Sequence, residues 1–331
     1  MKILIIGGSG NISWHCVKRF CEIGHDVWVL NRRCTLKTRR SLDEFNIHII
    51  KADMRDYRLI ERIFEDIFFD VVIDFICYNE IDAKFDLKIF KNRVKQFIFI
   101  SSAANYDRRK IKYPITEDSK LGTENWEYVK GKIAAEEEFM KAWHEEKFPV
   151  TIIRPGHTYD TLIPEAVGNG DWTNIKRLLN GKPIVIHGDG TNLWTITHGS
   201  DMAYAIERLL LNEQAYGEDY HITSNEVMTW NDITQMVVDA LNIKKYDVVY
   251  IPSQKILQYD YSLGIGIVGH KMWPDIYDNK KIKAVTGGWI AQKEASVGIG
   301  ESIKWLLEDE CRQRVNLKLN DSIEHMCQLY V

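Results

Sequence analysis

Met1–Cys21 reads MKILIIGGSGNISWHCVKRFC. Lys2–Ile6 is an apolar run of strand length, and the sequence predicts a buried strand there. Gly7-Gly8-Ser9-Gly10 is a turn, and Asn11–Cys21 follows as a helix with Ile12, Val17 and Phe20 turned inward. A glycine-rich turn from strand to helix brings backbone N–H groups to the positive end of a helix, which suits a pyrophosphate. Gly7 and Gly10 supply the tight turn and the close backbone approach, with Asn11 and Ile12 beside the bound phosphates. Ser13 stands where the usual dinucleotide fingerprint has its third glycine. An ordinary strand–helix turn can carry the same glycines, so the rest of the chain has to decide.

The first half continues the pattern. Short apolar runs at Asp26–Leu30, Asn46–Ile50, Asp70–Phe75 and Gln96–Ile100 alternate with helical patterns such as Tyr57–Phe64 and Ile81–Phe90. This alternation predicts an α/β fold: a doubly wound parallel sheet of Rossmann type with helices on both faces. Ligands in such sheets bind beyond the carboxyl ends of the strands, so the residues after each strand are the candidates.

After strand two come Asn31, Arg32 and Arg33. An acid at this place would accept from the ribose 2′-OH of NAD; two guanidinium groups suit a 2′-phosphate instead. The expected cofactor is therefore NADP, with NAD as the alternative. After strand three come Asp53, whose carboxylate can accept from an adenine amino group, and Met54. Phe75-Ile76-Cys77 after strand four can wall the adenosine. Ser101, Ser102 and Asn105 follow strand five, with Ser101 expected on the cofactor side and Asn105 on the substrate side.

A long helix is predicted at Glu124–Glu145, and it holds Tyr128 and Lys132 four residues apart on one face. Tyr-x-x-x-Lys is common by chance, as a packed tyrosine with a solvated lysine. Here the helix directly follows the strand-five serines, as a hydroxyl–phenol–ammonium site requires. A free tyrosine has a pKa near 10, too high for a base at neutral pH. An ammonium at roughly 5 Å in an effective dielectric near 20 would favour the phenolate by about 3 kcal/mol. The expectation is that Lys132 lowers the Tyr128 pKa, that Tyr128 moves a substrate hydroxyl proton, and that Ser102 holds the same oxygen.

The totals agree with such a protein. The 331 residues are 45% hydrophobic and 27% charged, enough for a large core and a solvated surface. The net charge of −4 argues against a nucleic-acid partner. The 6 cysteines show no CxxC spacing and there is no metal-ligand cluster, which predicts reduced thiols in a cytoplasmic protein without a metal. No apolar stretch is long enough to span a membrane, and the apolar start runs straight into a fold motif.

Together these residues resemble the extended short-chain dehydrogenase/reductase family, which includes NAD(P)-dependent sugar-nucleotide epimerases and dehydratases. The resemblance rests on Gly7-x-x-Gly10, Asp53, Ser102, Tyr128-x-x-x-Lys132 and Arg154-Pro155 after a sixth strand. It continues through His187-Gly188-Asp189-Gly190-Thr191, Asp278–Ile282 and Gly288-Trp289, nearly the whole chain. It implies a Rossmann domain over residues 1–160, with return segments near 195–224. A smaller substrate domain then takes 161–194 and 225–331. It also implies Pro155 on the cofactor, a homodimer paired through Ile81–Phe90 and Glu124–Glu145, and a small-molecule substrate such as a sugar nucleotide. Asn-Arg after strand two is similar to a divergent branch that includes chloroplast stem-loop RNA-binding proteins.

Three departures bear on function. His157 stands where epimerases often carry Asn; it is expected beside the nicotinamide and substrate, in a loop over Arg154–Asp160, as a second acid or base or as a structural histidine. Trp194 stands where those enzymes carry the arginine that grips a diphosphate; it is expected to stack on substrate instead. Ala103 and Ala104 follow Ser102 where a dehydratase has Asp-Glu, which argues against elimination of water. Two readings remain: an epimerase or oxidoreductase, or a relative that binds cofactor or RNA without turnover. In the second half, helices are predicted at Asn174–Leu179, Asp201–Leu211, Thr229–Leu241 and Gly300–Leu307. Strands are predicted at Pro183–His187 and Tyr246–Ile251, and the apolar Leu263–Pro274 is expected to cover the substrate.

Overall fold

The computed structural model describes residues 1–32 and 40–330. Arg33, expected on the cofactor, lies outside the described residues. The strands are β1 (Lys2–Ile6), β2 (Asp26–Asn31), β3 (His48–Lys51), β4 (Phe69–Asp74), β5 (Val94–Ile100), β6 (Val150–Pro155) and β7 (His157–Tyr159). They continue with β8 (Ile184–His187), β9 (Leu193–Trp194), β10 (Ile196–His198), β11 (Glu218–Ile222), β12 (Met228–Thr229) and β13 (Val248–Ile251). The helices of the first half are α1 (Ser13–Glu22), α2 (Tyr57–Phe64), α3 (Glu80–Phe90) and α4 (Glu127–Glu146). The second half carries α5 (Trp172–Leu179), α6 (Gly199–Leu209), α7 (Trp230–Ala240), α8 (Ser253–Tyr259), α9 (Tyr261–Gly266), α10 (Lys280–Val285), α11 (Ala295–Leu307) and α12 (Leu317–Tyr330).

A 7-stranded sheet in the order β11-β6-β5-β4-β1-β2-β3 forms the centre, and every pairing in it is parallel. Its strands are apolar on both faces because both faces are covered. The two-residue period sorts them cleanly. Ile3 and Ile5 of β1, with Val71, Ile73 and Ile98, pack on one side against Val17 and Phe20 of α1 and Met202 and Ile206 of α6. Leu4 and Ile6, with Val72, Phe97 and Phe99, pack on the other against Ile60, Ile89 and Phe139 of α2, α3 and α4. The sheet therefore aligns the carboxyl ends of β1, β2, β4, β5 and β6 along one edge.

The segments after β7 form further cores. Trp172, Ile186, Trp194, Trp230, Ile299 and Trp305 lie in one; Val249, Ile256, Ile323 and Met326, joining α8 and α12 to β13, lie in another. A capping box starts α7: the Thr229 hydroxyl accepts from the Asp232 N–H at 3.1 Å and the Asp232 carboxylate accepts from the Thr229 N–H at 2.8 Å.

One local expectation changes, and one segment gains a conformation. Arg154–Asp160 is not a loop: β6 runs to Pro155, and β7 then pairs in parallel with β10, Thr158 facing Thr197 in register. Leu263–Pro274 is helical for most of its length, α9 leading into a π-helical stretch at Ile267–Lys271. Among the described residues no helix is long and apolar enough to cross a membrane.

Candidate active site

The turn after β1 is held by the residue that breaks the glycine pattern. Ser13 is buried; its Oγ donates to the Gly7 carbonyl at 2.7 Å and accepts from the Gly10 N–H at 2.8 Å. Where a third glycine would let the helix approach the strand, the serine clasps the turn instead. Gly7 has φ +86°, and a Cβ there would lie 2.7 Å from Ile76 Cγ2, so both its conformation and its surroundings call for glycine. Asn31 accepts from the Gly8 N–H at 2.9 Å, which ties the end of β2 to the same turn.

A cleft of about 330 Å³ opens over this turn. Gly7, Gly10, Asn11 and Ile12 form its first wall, Phe75, Ile76 and Tyr78 its second, and Ser101, Ser102, Tyr128 and Lys132 its third. Pro155, Gly156 and Thr158 close it. A pocket of about 90 Å³ adjoins it, sharing Ile76 and Tyr78, and is lined by Arg32, Asp53 and Met54. The Arg32 guanidinium lies 3.7 Å from the Asp53 carboxylate, both partly exposed. The glycine turn, the strand-five serines and the Tyr128–Lys132 face are thus brought to one cleft from separate parts of the chain.

Tyr128 lies on the first turn of α4, its hydroxyl in contact with Ser102. Burial raises the phenol above its ordinary pKa, and the Ser102 contact offsets only part of that. The expected lowering by Lys132 is not realised. The Lys132 ammonium donates to the Cys77 carbonyl at 2.7 Å and the Ile100 carbonyl at 2.8 Å, and lies 4.8 Å from the Tyr78 ring centroid. Its charge is directed at the ends of β4 and β5 rather than at the phenol. Burial in turn lowers the Lys132 pKa. A close approach sets the height of this helix: a Cβ on Gly131 would sit 2.4 Å from the Tyr78 carbonyl oxygen.

Three buried acids behind the cleft were not legible as site residues. The Asp74 carboxylate accepts from the Ile76 N–H at 2.5 Å and the Cys77 N–H at 3.0 Å, shaping the wall after β4. Asp86 of α3 hydrogen-bonds to it, and burial together with the Asp74 charge raises the Asp86 pKa well above the carboxylate range. Glu136 takes a fork from Arg154, with Nη2 at 2.6 Å, and also accepts from Ser101 Oγ at 2.5 Å and Asn105 Nδ2 at 2.9 Å. Its sequence signal was its place one turn beyond Lys132 on the same helix face.

Three expected substrate contacts sit elsewhere. Asn105 is fully buried and spends its amide on Ser101 and Glu136. His157 faces away from the cleft that Gly156 and Thr158 line; its ring meets Trp194 and Trp230 edge-on at 5.9 and 5.8 Å. Strand alternation through β7 turns it there, and burial lowers its pKa to about 3, so it is neutral at ordinary pH. Trp194 is 0% exposed, 4.9 Å from Trp230 and 4.8 Å from His270 between ring centroids, a core residue rather than an open stacking face. The sequence showed no metal-ligand cluster, yet the fold brings His15, Asp160 and His198 together.

A parallel sheet with a glycine turn after its first strand and a Ser–Tyr–Lys face across the cleft defines a Rossmann-type dinucleotide-binding protein. The model of the NAD dependent epimerase/dehydratase family matches residues 3–223, and the chain belongs to that family. It is 24% identical over 257 residues to the 2'-dehydrokanamycin reductase of Streptomyces kanamyceticus, covering 77% of this chain and 70% of that protein. It is 32% identical over 207 residues to the UDP-glucose 4-epimerase of Lactobacillus helveticus, covering 57% of this chain and 62% of that one. Among solved structures, the dTDP-glucose 4,6-dehydratase of Bacillus anthracis str. Ames in complex with NAD superposes with a TM-score of 0.75 at 20% identity, over 94% of this chain and 97% of that one.

Proposed function

We propose that the protein is an NAD(P)-dependent epimerase or oxidoreductase acting on a hydroxyl-bearing small molecule, a sugar nucleotide or a close relative. The observation that carries this reading is the convergence of Ser102, Tyr128 and Lys132 on the cleft that also holds the Gly7–Gly10 turn. The cleft suits a dinucleotide. Gly7, packed against Ile76 at positive φ, keeps the turn tight where a side chain would distort it, and Arg32 at the far end supplies a cation for a 2′-phosphate. When bound, the nicotinamide supplies the hydride acceptor and donor.

Every other part is assigned to the chain. Ser102 Oγ hydrogen-bonds the reacting substrate oxygen and holds it in line. Tyr128 Oη takes the proton of that hydroxyl, or returns it to the carbonyl. Its raised pKa makes it a proton donor at rest and a base only once positive charge is added to the cleft. Lys132, fixed on two carbonyls, orients the cofactor ribose and keeps α4 docked. Ala103 and Ala104 offer no acid or base for loss of water, so the reading favours epimerisation or plain oxidation and reduction over dehydration. Arg32 favours NADP over NAD.

The test is a screen of sugar nucleotides with each cofactor, followed by nicotinamide absorbance and by chromatography of the sugars. Conversion or oxidation of a hydroxyl substrate supports the reading. Tight cofactor binding without conversion of any substrate overturns it.

A further inference from the structure

On the side of α1 away from the cofactor cleft, three side chains remote in sequence meet. His15 comes from α1, Asp160 follows β7, and His198 ends β10 and caps α6. One ligating atom from each lies within 4.8 Å of the other two. His15 Nε2 is 3.3 Å from Asp160 Oδ2, and His198 Nε2 is 3.8 Å from Asp160 Oδ1. Asp160 is 1% exposed and His198 3%. The Nε2 atoms of both histidines are buried and make no hydrogen bond among the described residues. Buried ring nitrogens are normally satisfied, so two such atoms facing one carboxylate call for an explanation.

We propose that His15, Asp160 and His198 form a binding site for a divalent transition-metal ion of the zinc class. Two imidazoles and one carboxylate suit zinc, cobalt or nickel, and do not suit magnesium or calcium. The surroundings complete the site. His198 Nδ1 accepts from the Ser200 N–H at 3.2 Å; metal binding at Nε2 moves the ring proton to Nδ1, which then donates to Ser200 Oγ, 2.7 Å away, at the expense of that cap bond. Arg40 forks onto the Asp160 carboxylate, with Nη2 at 2.7 Å and Nε at 2.9 Å, but a carboxylate has about four acceptor positions and the fork uses two. A pocket of about 620 Å³, lined by His15, His198, Arg40 and Trp305, opens over the cluster and leaves room for water as the remaining ligand. A tetrahedral ion with bonds of about 2.0–2.2 Å needs donors about 3.3 Å apart, so binding draws the rings inward. The Arg40 charge opposes the ion and weakens its affinity. The site is apart from the reacting groups; the metal ties α1, the segment after β7 and α6 to one another.

The full chain, stripped with a chelator, is titrated with Zn2+ by calorimetry and with Co2+ by visible absorption. One equivalent of each binds, and Zn2+ raises the thermal unfolding midpoint. His15→Gln and His198→Asn, the latter keeping an N-cap side chain, each weaken binding by about a hundredfold or more while circular dichroism stays unchanged. Arg40→Gln tightens it. The proposal is overturned if neither the intact chain nor Arg40→Gln binds either ion. Equal affinity of the intact chain and both histidine variants, or equal affinity for Mg2+, overturns it as well.

Discussion

Lys132 donates its ammonium to the Cys77 carbonyl at 2.7 Å, one helical turn from Tyr128 on the same face of α4. The lysine is thereby a fixed element of the cleft before any cofactor arrives, and the phenol is left to burial, which keeps it protonated. On the proposed mechanism, Tyr128→Phe removes the hydroxyl that exchanges a proton with substrate while keeping the ring. Turnover falls by about 10²–10⁴-fold, and cofactor affinity measured by fluorescence titration stays unchanged. Undiminished turnover would remove Tyr128 from the chemistry.

The clasp made by Ser13 gives an unusual expectation. Ser13→Gly restores the usual third glycine, yet it deletes both hydrogen bonds across the turn. Denaturant unfolding should show a loss of about 1–2 kcal/mol, with weaker cofactor binding. A variant as stable as the parent would mean that the turn holds its shape without the hydroxyl.

Arg154 and Glu136 form a buried ion pair, 6% and 4% exposed at their side chains. Arg154→Met leaves Glu136 charged with only Ser101 and Asn105 to satisfy it. Removing one partner of a buried pair costs about 3–5 kcal/mol, measured by the same unfolding experiment. A near-neutral result would show that water reaches Glu136.

The proposed preference for NADP rests on Arg32. On that proposal the intact protein is expected to bind NADP more tightly than NAD. Arg32→Ala narrows that gap by about tenfold, the scale of one hydrogen bond to a charged group. Equal affinity of the parent for the two cofactors would reject the role.

Glu165 is buried; one carboxylate oxygen accepts from the Gly170 N–H at 2.8 Å and the other is unpartnered among the described residues. Burial raises its pKa from 4.5 to about 8. The folded state therefore holds a proton that the unfolded state has lost, and stability falls as pH rises toward 8. Between about pH 6.5 and 8 this group contributes a loss of about 1.5 kcal/mol. Glu165→Gln should flatten the stability profile across that window; an unchanged slope would assign it to another group.

Much of this was legible along the chain, and the reason is local. β1 is predicted at its observed bounds and α2 likewise, because apolar runs and helical periodicity are properties of neighbouring residues. Gly7, Ser102, Tyr128 and Lys132 could be placed because strand ends in a parallel sheet converge on one edge. His157 and Trp194 could not. The direction of His157 depends on β7 pairing with β10, and the burial of Trp194 depends on β9 pairing with Met228–Thr229. Both are non-local pairings of two or three residues that leave no periodic trace. Asp160 looked like a loop carboxylate until the fold set Arg40 and two histidines around it.

The contact between Gly131 and the Tyr78 carbonyl has a mechanical consequence. It makes the glycine a spacer of minimum thickness between the helix that carries the phenol and the wall that lines the cofactor. A methyl group there would push α4 outward as a lever, moving Tyr128 off the strand-five serines without altering a single reacting group. On the proposed mechanism, the gap across which proton and hydride would travel is thus gauged by a residue that has no side chain at all.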